Sequence, residues 1–189
     1  MTQQTVTRYS RVAIFFHWLT VILVILAFIL GPGGSEERIY AAANDTQRHI
    51  HETLGMTIFI LMFLRLAWRW MDKQPVLPPL PPLMVLGARL VQYVLYLLLF
   101  VTPLTAITGA WLQGHAVDLV FGINIGPWIG PSHHLGSTIA EVHGVLGDTI
   151  IWLAGFHALA AIFHHVMRKE DILVSMLPQV FVAWLKPRE

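Results

Sequence analysis

The chain has 189 residues, of which 56% are hydrophobic and only 12% charged, against about 25% charged in an ordinary soluble domain. It has no cysteine, which excludes disulfides, iron–sulfur clusters, thiolate zinc sites and covalent c-type haem attachment. The net charge of +1 says little until its distribution along the chain is read.

The first apolar stretch, residues 12–30, runs for 19 residues without a formal charge. A leader core is about 7–15 residues long, whereas about 20 residues cross a hydrocarbon layer of about 30 Å, so a span is expected here rather than a cleaved leader. A second span is expected over residues 50–68, with Glu52 near one end and Arg65 near the other. Residues 75–82 are proline-rich and read as a stiff, non-helical connector. The third span, residues 90–117, holds no charge, and Pro103 is placed to kink it. A Gly/Pro/His loop over residues 122–137 leads to the fourth span, residues 139–167. The runs are continuously apolar rather than alternating, so they are helices and not barrel strands. The expected fold is all-α, an integral membrane four-helix bundle making one domain over residues 1–189.

Basic residues orient the spans. Ten of the twelve lie on one side: Arg8, Arg11, Arg65, Arg69, Lys73, Arg89, Arg168, Lys169, Lys186 and Arg188. Arg38 and Arg48 lie in the first loop on the other side, among Glu36, Glu37 and Asp45. Both termini and the proline connector are therefore expected in the cytoplasm, with the chain multi-pass in the membrane. Its first partner is the lipid bilayer, and nucleic acid is not expected as one.

Ten histidines are the unusual feature, since ionisable groups in a membrane are costly and are read first as functional. His17 lies in span one, His49 and His51 open span two, and His143, His157, His164 and His165 lie in span four. His143 and His157 are fourteen residues apart. They share a helix face and stand about 21 Å apart along the axis. Depth then pairs His17 with His157 near the inner side and His51 with His143 near the outer side. Neutral imidazoles in an apolar bundle suit haem iron, and Gly55, Gly144, Gly147 and Gly155 leave room for a flat ring. The same small residues also serve plain helix packing, and a single histidine in a span is equally read as a hydrogen-bond partner of a neighbouring helix. His49 lies about 200° around the helix from His51 and is read as an interface residue. His115, His133 and His134 are read as surface residues, with metal binding by the last two the weaker alternative. His164 shares the His157 stripe and could donate to a quinone carbonyl; His165 is the lesser candidate. Arg11, Arg65 and Arg69 at the inner edge, and Arg48 outside, are candidate cations for haem propionates.

These residues resemble the bacterial cytochrome b561 family, small di-haem quinone-linked cytochromes that include superoxide:ubiquinone oxidoreductase. The resemblance covers essentially the whole chain. It rests on Tyr9-Ser-Arg-Val and His17-Trp in span one, and on His51-Glu-Thr-Leu-Gly and Arg65-Leu in span two. The proline-rich connector, His143, His157 and His164-His165 in span four, and Leu177-Pro in a basic tail complete it. It implies two haem b groups with His17, His51, His143 and His157 as axial ligands and a quinone site near His164. It also implies transfer of electrons from a small-molecule donor on the periplasmic side, with superoxide the proposed donor, to ubiquinone. An alternative is a cytochrome b anchor subunit that passes electrons from a dehydrogenase or hydrogenase to quinone. A third reading, a histidine-using transporter, would make a colourless protein.

Overall fold

In the computed structural model, residues 8–73, 75 and 80–185 are described. Lys186, Arg188 and part of the proline connector lie outside them. Helix α1 spans Arg11–Ile29. Ser10 caps it, its hydroxyl accepting from the Ala13 amide at 3.2 Å, and Gly31-Pro32 stops it. After a short helix α2 (Glu36–Ile39) and a 3₁₀ turn (Ala42–Asn44), α3 runs over Asp45–Met71. Helix α4 covers Pro82–Leu112, with Pro82 in the first turn, where a missing N–H costs nothing. Two short antiparallel strands, β1 (Val117–Asp118) and β2 (Asn124–Ile125), pair in the following loop. Helix α5 spans His133–Val166, and α6 (Ile172–Met176) and α7 (Gln179–Leu185) close the chain.

Among the described residues four helices are long and apolar enough to cross a membrane. Their ends differ from the expected spans because polar residues continue the helix beyond the apolar stretch. α3 starts at Asp45 rather than at residue 50, and α5 starts at His133 rather than 139, which brings His133 and His134 into its first turn. α4 begins at Pro82, earlier than residue 90, and ends at Leu112, before residue 117. The expected connector is thus helical from Pro82 onward. Threonine hydroxyls in the spans bond back to their own helix: buried Thr20 to the Phe16 carbonyl, and the exposed Thr57 to Thr53 and Thr149 to Val145. These hydroxyls therefore need no partner from lipid.

The helices pack as two close pairs, α1 with α3 and α4 with α5, joined through α3 and α4. Ala27, Ile58 and Met62 form the buried core of the joint, with Tyr96, Leu99 and Phe100 packed on it. The α4–α5 pair is held by small residues. Gly136 and Ala140 lie one turn apart on α5, and a β-carbon on Gly109 would stand 3.3 Å from the Ala140 nitrogen. A β-carbon on Gly136 would come within 2.8 Å of Gln113 Cγ and 2.9 Å of its backbone nitrogen. The segment before α1 and helix α6 meet at one end of the bundle, where the Tyr9 amide donates to the Ser175 carbonyl at 3.2 Å. That end is called the terminal end below and the opposite one the far end. Replacing Gly136 with alanine should push α5 off α4 at a cost of about 1–3 kcal/mol. The expected readout is a lower thermal midpoint in detergent; an unchanged midpoint would show that the contact does not hold the pair.

Candidate haem-binding site

His17 and His157 meet near the terminal end, with ring centroids 6.5 Å apart and planes at 70°. His51 and His143 meet toward the far end, 6.0 Å apart at 88°. These are the two pairs expected from depth, and all four rings are half-buried. An imidazole nitrogen lies about 2 Å from a metal it binds, so two rings gripping one metal from opposite sides place their centroids about 6 Å apart. Both pairs meet that spacing, and the histidines therefore fit an iron porphyrin. Rotation about a metal–nitrogen bond leaves the spacing unchanged, so either plane angle is compatible. A β-carbon added at Gly55, Gly144, Gly147 or Gly155 would meet no atom within 4 Å, consistent with room for a flat ring beside the ligands.

The far pair is oriented by backbone. His51 Nδ1 lies 2.8 Å from the Ala27 carbonyl of α1, and His143 Nδ1 lies 3.0 Å from the Thr102 carbonyl of α4. A carbonyl only accepts, so both Nδ1 atoms carry the proton and both Nε2 atoms offer a lone pair. The terminal pair differs. Arg65 Nη2 lies 3.1 Å from His17 Nδ1. A guanidinium only donates, so here Nδ1 accepts and the neutral ring holds its proton on Nε2.

The predicted cations are distributed unevenly. Arg65 and Arg69 flank the Tyr96 ring, 5.3 and 5.9 Å from its centroid. They line a cavity with Tyr9, Trp68 and Asp72 beside the terminal pair. Burial pushes the Tyr9 hydroxyl up, against the lowering influence of Arg69. Asp72 accepts from the Ser10 hydroxyl at 2.6 Å, and the Trp68 indole donates to that hydroxyl at 3.2 Å. Arg11 is exposed at the start of α1.

Arg48, expected to serve a propionate, is instead the centre of a carboxylate cluster. It is 6% exposed, and its terminal nitrogens reach Asp45 at 2.9 Å, Asp118 at 3.1 Å and Glu52 at 3.3 Å. The i−3 and i+4 partners follow from helix spacing, while Asp118 is brought by the loop carrying β1. Glu52 also accepts from the Asp118 amide at 2.6 Å, which pins that loop to α3. Burial disfavours the charged form of Asp118, but hydrogen bonds from Asn124 and Arg48 outweigh it and hold the carboxyl below its usual range.

His49 joins this cluster, 3.1 Å from Arg48 Nη2 and 3.7 Å from Asp118, and takes no part in the ring pairs. His115 is less exposed than a surface reading implies: it stacks on Tyr40 at 3.4 Å and lies 3.2 Å from Glu36. Burial pushes the Tyr40 hydroxyl well up. His133 is exposed and 3.4 Å from the same Glu36 oxygen. Among the described residues no group of three or more His, Asp or Glu side chains is arranged to hold a bare metal ion. His164 Nδ1 lies 2.5 Å from Glu170, a residue that sequence reasoning did not single out, and His165 Nδ1 is buried without a hydrogen-bond partner.

The chain is similar to several known proteins. The chain is 29% identical to the probable superoxide oxidase CybB of Yersinia pestis, over 91% of this chain and 97% of that protein. It is 27% identical to cytochrome b561 homolog 1 of Escherichia coli strain K12, over 91% and 98% of the two chains. It is also 27% identical to cytochrome b562 of Cereibacter sphaeroides, over 94% and 98%. The profile of prokaryotic cytochrome b561 matches residues 8–179. With four membrane-crossing helices, the chain belongs to the prokaryotic cytochrome b561 family, and is a multi-pass membrane cytochrome that binds haem b and transfers electrons.

Proposed function

We propose that the protein carries electrons across the bilayer from a small donor at the far end to ubiquinone at the terminal end, using two haem b groups. The two imidazole pairs, at 6.0 and 6.5 Å and at opposite ends of the bundle, are the observation that carries this reading. His51 and His143 would hold one haem and His17 and His157 the other. Each haem supplies a site that accepts and releases a single electron.

The chain's own residues do the rest. Ala27 and Thr102 hold the far imidazoles in the tautomer that offers Nε2. At the terminal pair, ligation through Nε2 of His17 would need the ring's proton to shift from Nε2 to Nδ1. Arg65 would then release Nδ1 and turn to a propionate. A guanidinium beside this pair also favours the residence of an electron at that end. Arg69 is the second cation suited to a propionate there, with Arg11 at the edge. With the sequence's basic residues concentrated before α1, about the α3–α4 connector and after α5, the terminal end is read as cytoplasmic and the far end as periplasmic.

The donor reading is superoxide, after the name of the Yersinia pestis relative. Two superoxide anions would leave as dioxygen and give two electrons, and ubiquinone would take these with two protons to become ubiquinol. His164, about two turns beyond His157 on the same helical stripe, is the proposed quinone contact.

Two outcomes test the reading. In His157→Ala, the haem count of purified protein should fall from two per chain to one, with the visible spectrum of a bis-histidine haem retained. A variant that keeps both haems overturns the assignment. The far end carries Glu36, Glu37, Asp45, Glu52 and Asp118 against Arg38 and Arg48, so it should repel an anion. Stopped-flow superoxide oxidation should therefore speed up, by about twofold or more, as salt rises and the Debye length falls from about 30 Å at 0.01 M to about 8 Å at 0.15 M. A rate that falls with salt would mean a cationic capture surface, and no oxidation at all would remove superoxide as donor.

A further inference from the structure

Beyond α5 the chain turns at Lys169, whose φ of 55° lies in the left-handed region that a lysine seldom adopts. This one residue reverses the backbone, so that the Glu170 amide returns to the His164 carbonyl at 3.0 Å. The reversal lays the Glu170 side chain against the last turn of the helix. Its two oxygens lie 2.5 Å from His164 Nδ1 and 2.9 Å from Arg168 Nε. The hydrogen bond from His164 first, and that from Arg168 after it, hold the Glu170 carboxyl below the usual carboxylate range. An ionised carboxylate only accepts, so His164 Nδ1 is the donor and Nε2 is the nitrogen left for a ligand.

Capping the helix needs only the backbone bond between residues 170 and 164. The carboxylate adds something a cap does not require: it sets the tautomer of a histidine whose side chain is 18% exposed. The neighbouring His165 has no such partner, its Nδ1 being buried without a hydrogen bond. Of the two adjacent histidines, only His164 is prepared for proton transfer.

We propose that Glu170 is a positioning residue for quinone reduction, holding His164 by Nδ1–H so that Nε2 addresses a quinone carbonyl oxygen. This rests on the reading of His164 as the quinone contact. Reduction to the quinol takes two electrons, which the two superoxide anions provide on leaving as dioxygen, and two protons. One proton passes from Nε2 of doubly protonated His164 to one carbonyl oxygen. The neutral ring keeps its Nδ1 proton on Glu170 and regains the other at Nε2 from water. The second carbonyl oxygen takes its proton from water.

The test uses the haem-loaded full chain in detergent with a short-tailed ubiquinone as probe. In dithionite-reduced protein labelled with ¹⁵N-histidine, His164 should carry its proton on Nδ1. E170A should slow quinol formation about 10- to 100-fold with haem content and visible spectrum unchanged. E170Q, which keeps a carbonyl acceptor, should recover part of the loss, and E170A should add nothing in an H164Q background. A wild-type His164 protonated on Nε2 overturns the role of Glu170. So does E170A working at the wild-type rate while H164Q is slow. H164Q reducing quinone at the wild-type rate overturns instead the quinone reading beneath it.

Discussion

In lipid, a histidine can offer one ring nitrogen to a metal only if the other is satisfied, because an unpartnered polar N–H has no water to turn to. The far pair meets this constraint with main-chain oxygens. Ala27 belongs to the last turn of α1, where carbonyls have no partner within the helix, and His51 takes that carbonyl at 2.8 Å. Thr102 stands immediately before Pro103 in α4, and its carbonyl receives both the Thr105 hydroxyl at 2.7 Å and His143 at 3.0 Å. The place where α1 ends is therefore part of the site. Moving that end by one residue would take the anchoring oxygen away from His51.

The packing of the helices gives the anchors their meaning. α1 packs on α3 and α4 on α5, while the helices whose imidazoles face each other, α1 with α5 and α3 with α5, make little direct contact. Each far imidazole is anchored inside its own pair, His51 to α1 and His143 to α4, and faces a ring from the other pair. The joint between the pairs is the apolar core around Ile58 and Met62. This apolar core lies between the level of His51 and that of Arg65 on α3. The two levels are not chemically alike: a carbonyl steadies each far imidazole, and a guanidinium steadies His17.

Much of this was legible in the residues, and the illegible part has a common cause. Length and continuous hydropathy find the four spans, the fourteen-residue spacing puts His143 and His157 on one face, and the side by which each span enters the membrane pairs them by depth with His51 and His17. Helix ends are missed where polar residues such as Asp45 and His133 extend a helix past its apolar run. The anchors of the far ligands are backbone atoms, so the identities of Ala27 and Thr102 carry no signal for them. Arg48 reads as a cation for a propionate although two of its carboxylates, Asp45 and Glu52, stand at helical spacing, because the third, Asp118, arrives from a loop seventy residues away. Glu170 is hidden for a different reason. Its approach to His164 depends on a left-handed turn, and the residue at that turn is a lysine where a glycine would have marked it.

The same turn bears on how the terminal pair is held. His17 and His157 come from helices with little mutual packing, so something else must keep α1 and α5 in register there. The segment after Glu170 supplies it. Helix α6 packs on α5, and from it the Ser175 carbonyl accepts the Tyr9 amide at 3.2 Å and the Met176 carbonyl accepts the Trp18 indole at 2.9 Å. Arg8 reaches the Leu177 carbonyl from the same side. Trp18 directly follows His17, so the tail grips α1 beside that imidazole while it springs from the end of the helix that bears His157. A left-handed Lys169 is tolerable at this point because it does two things at once. It returns Glu170 to His164, and it turns the chain into the brace that joins the two ligand helices.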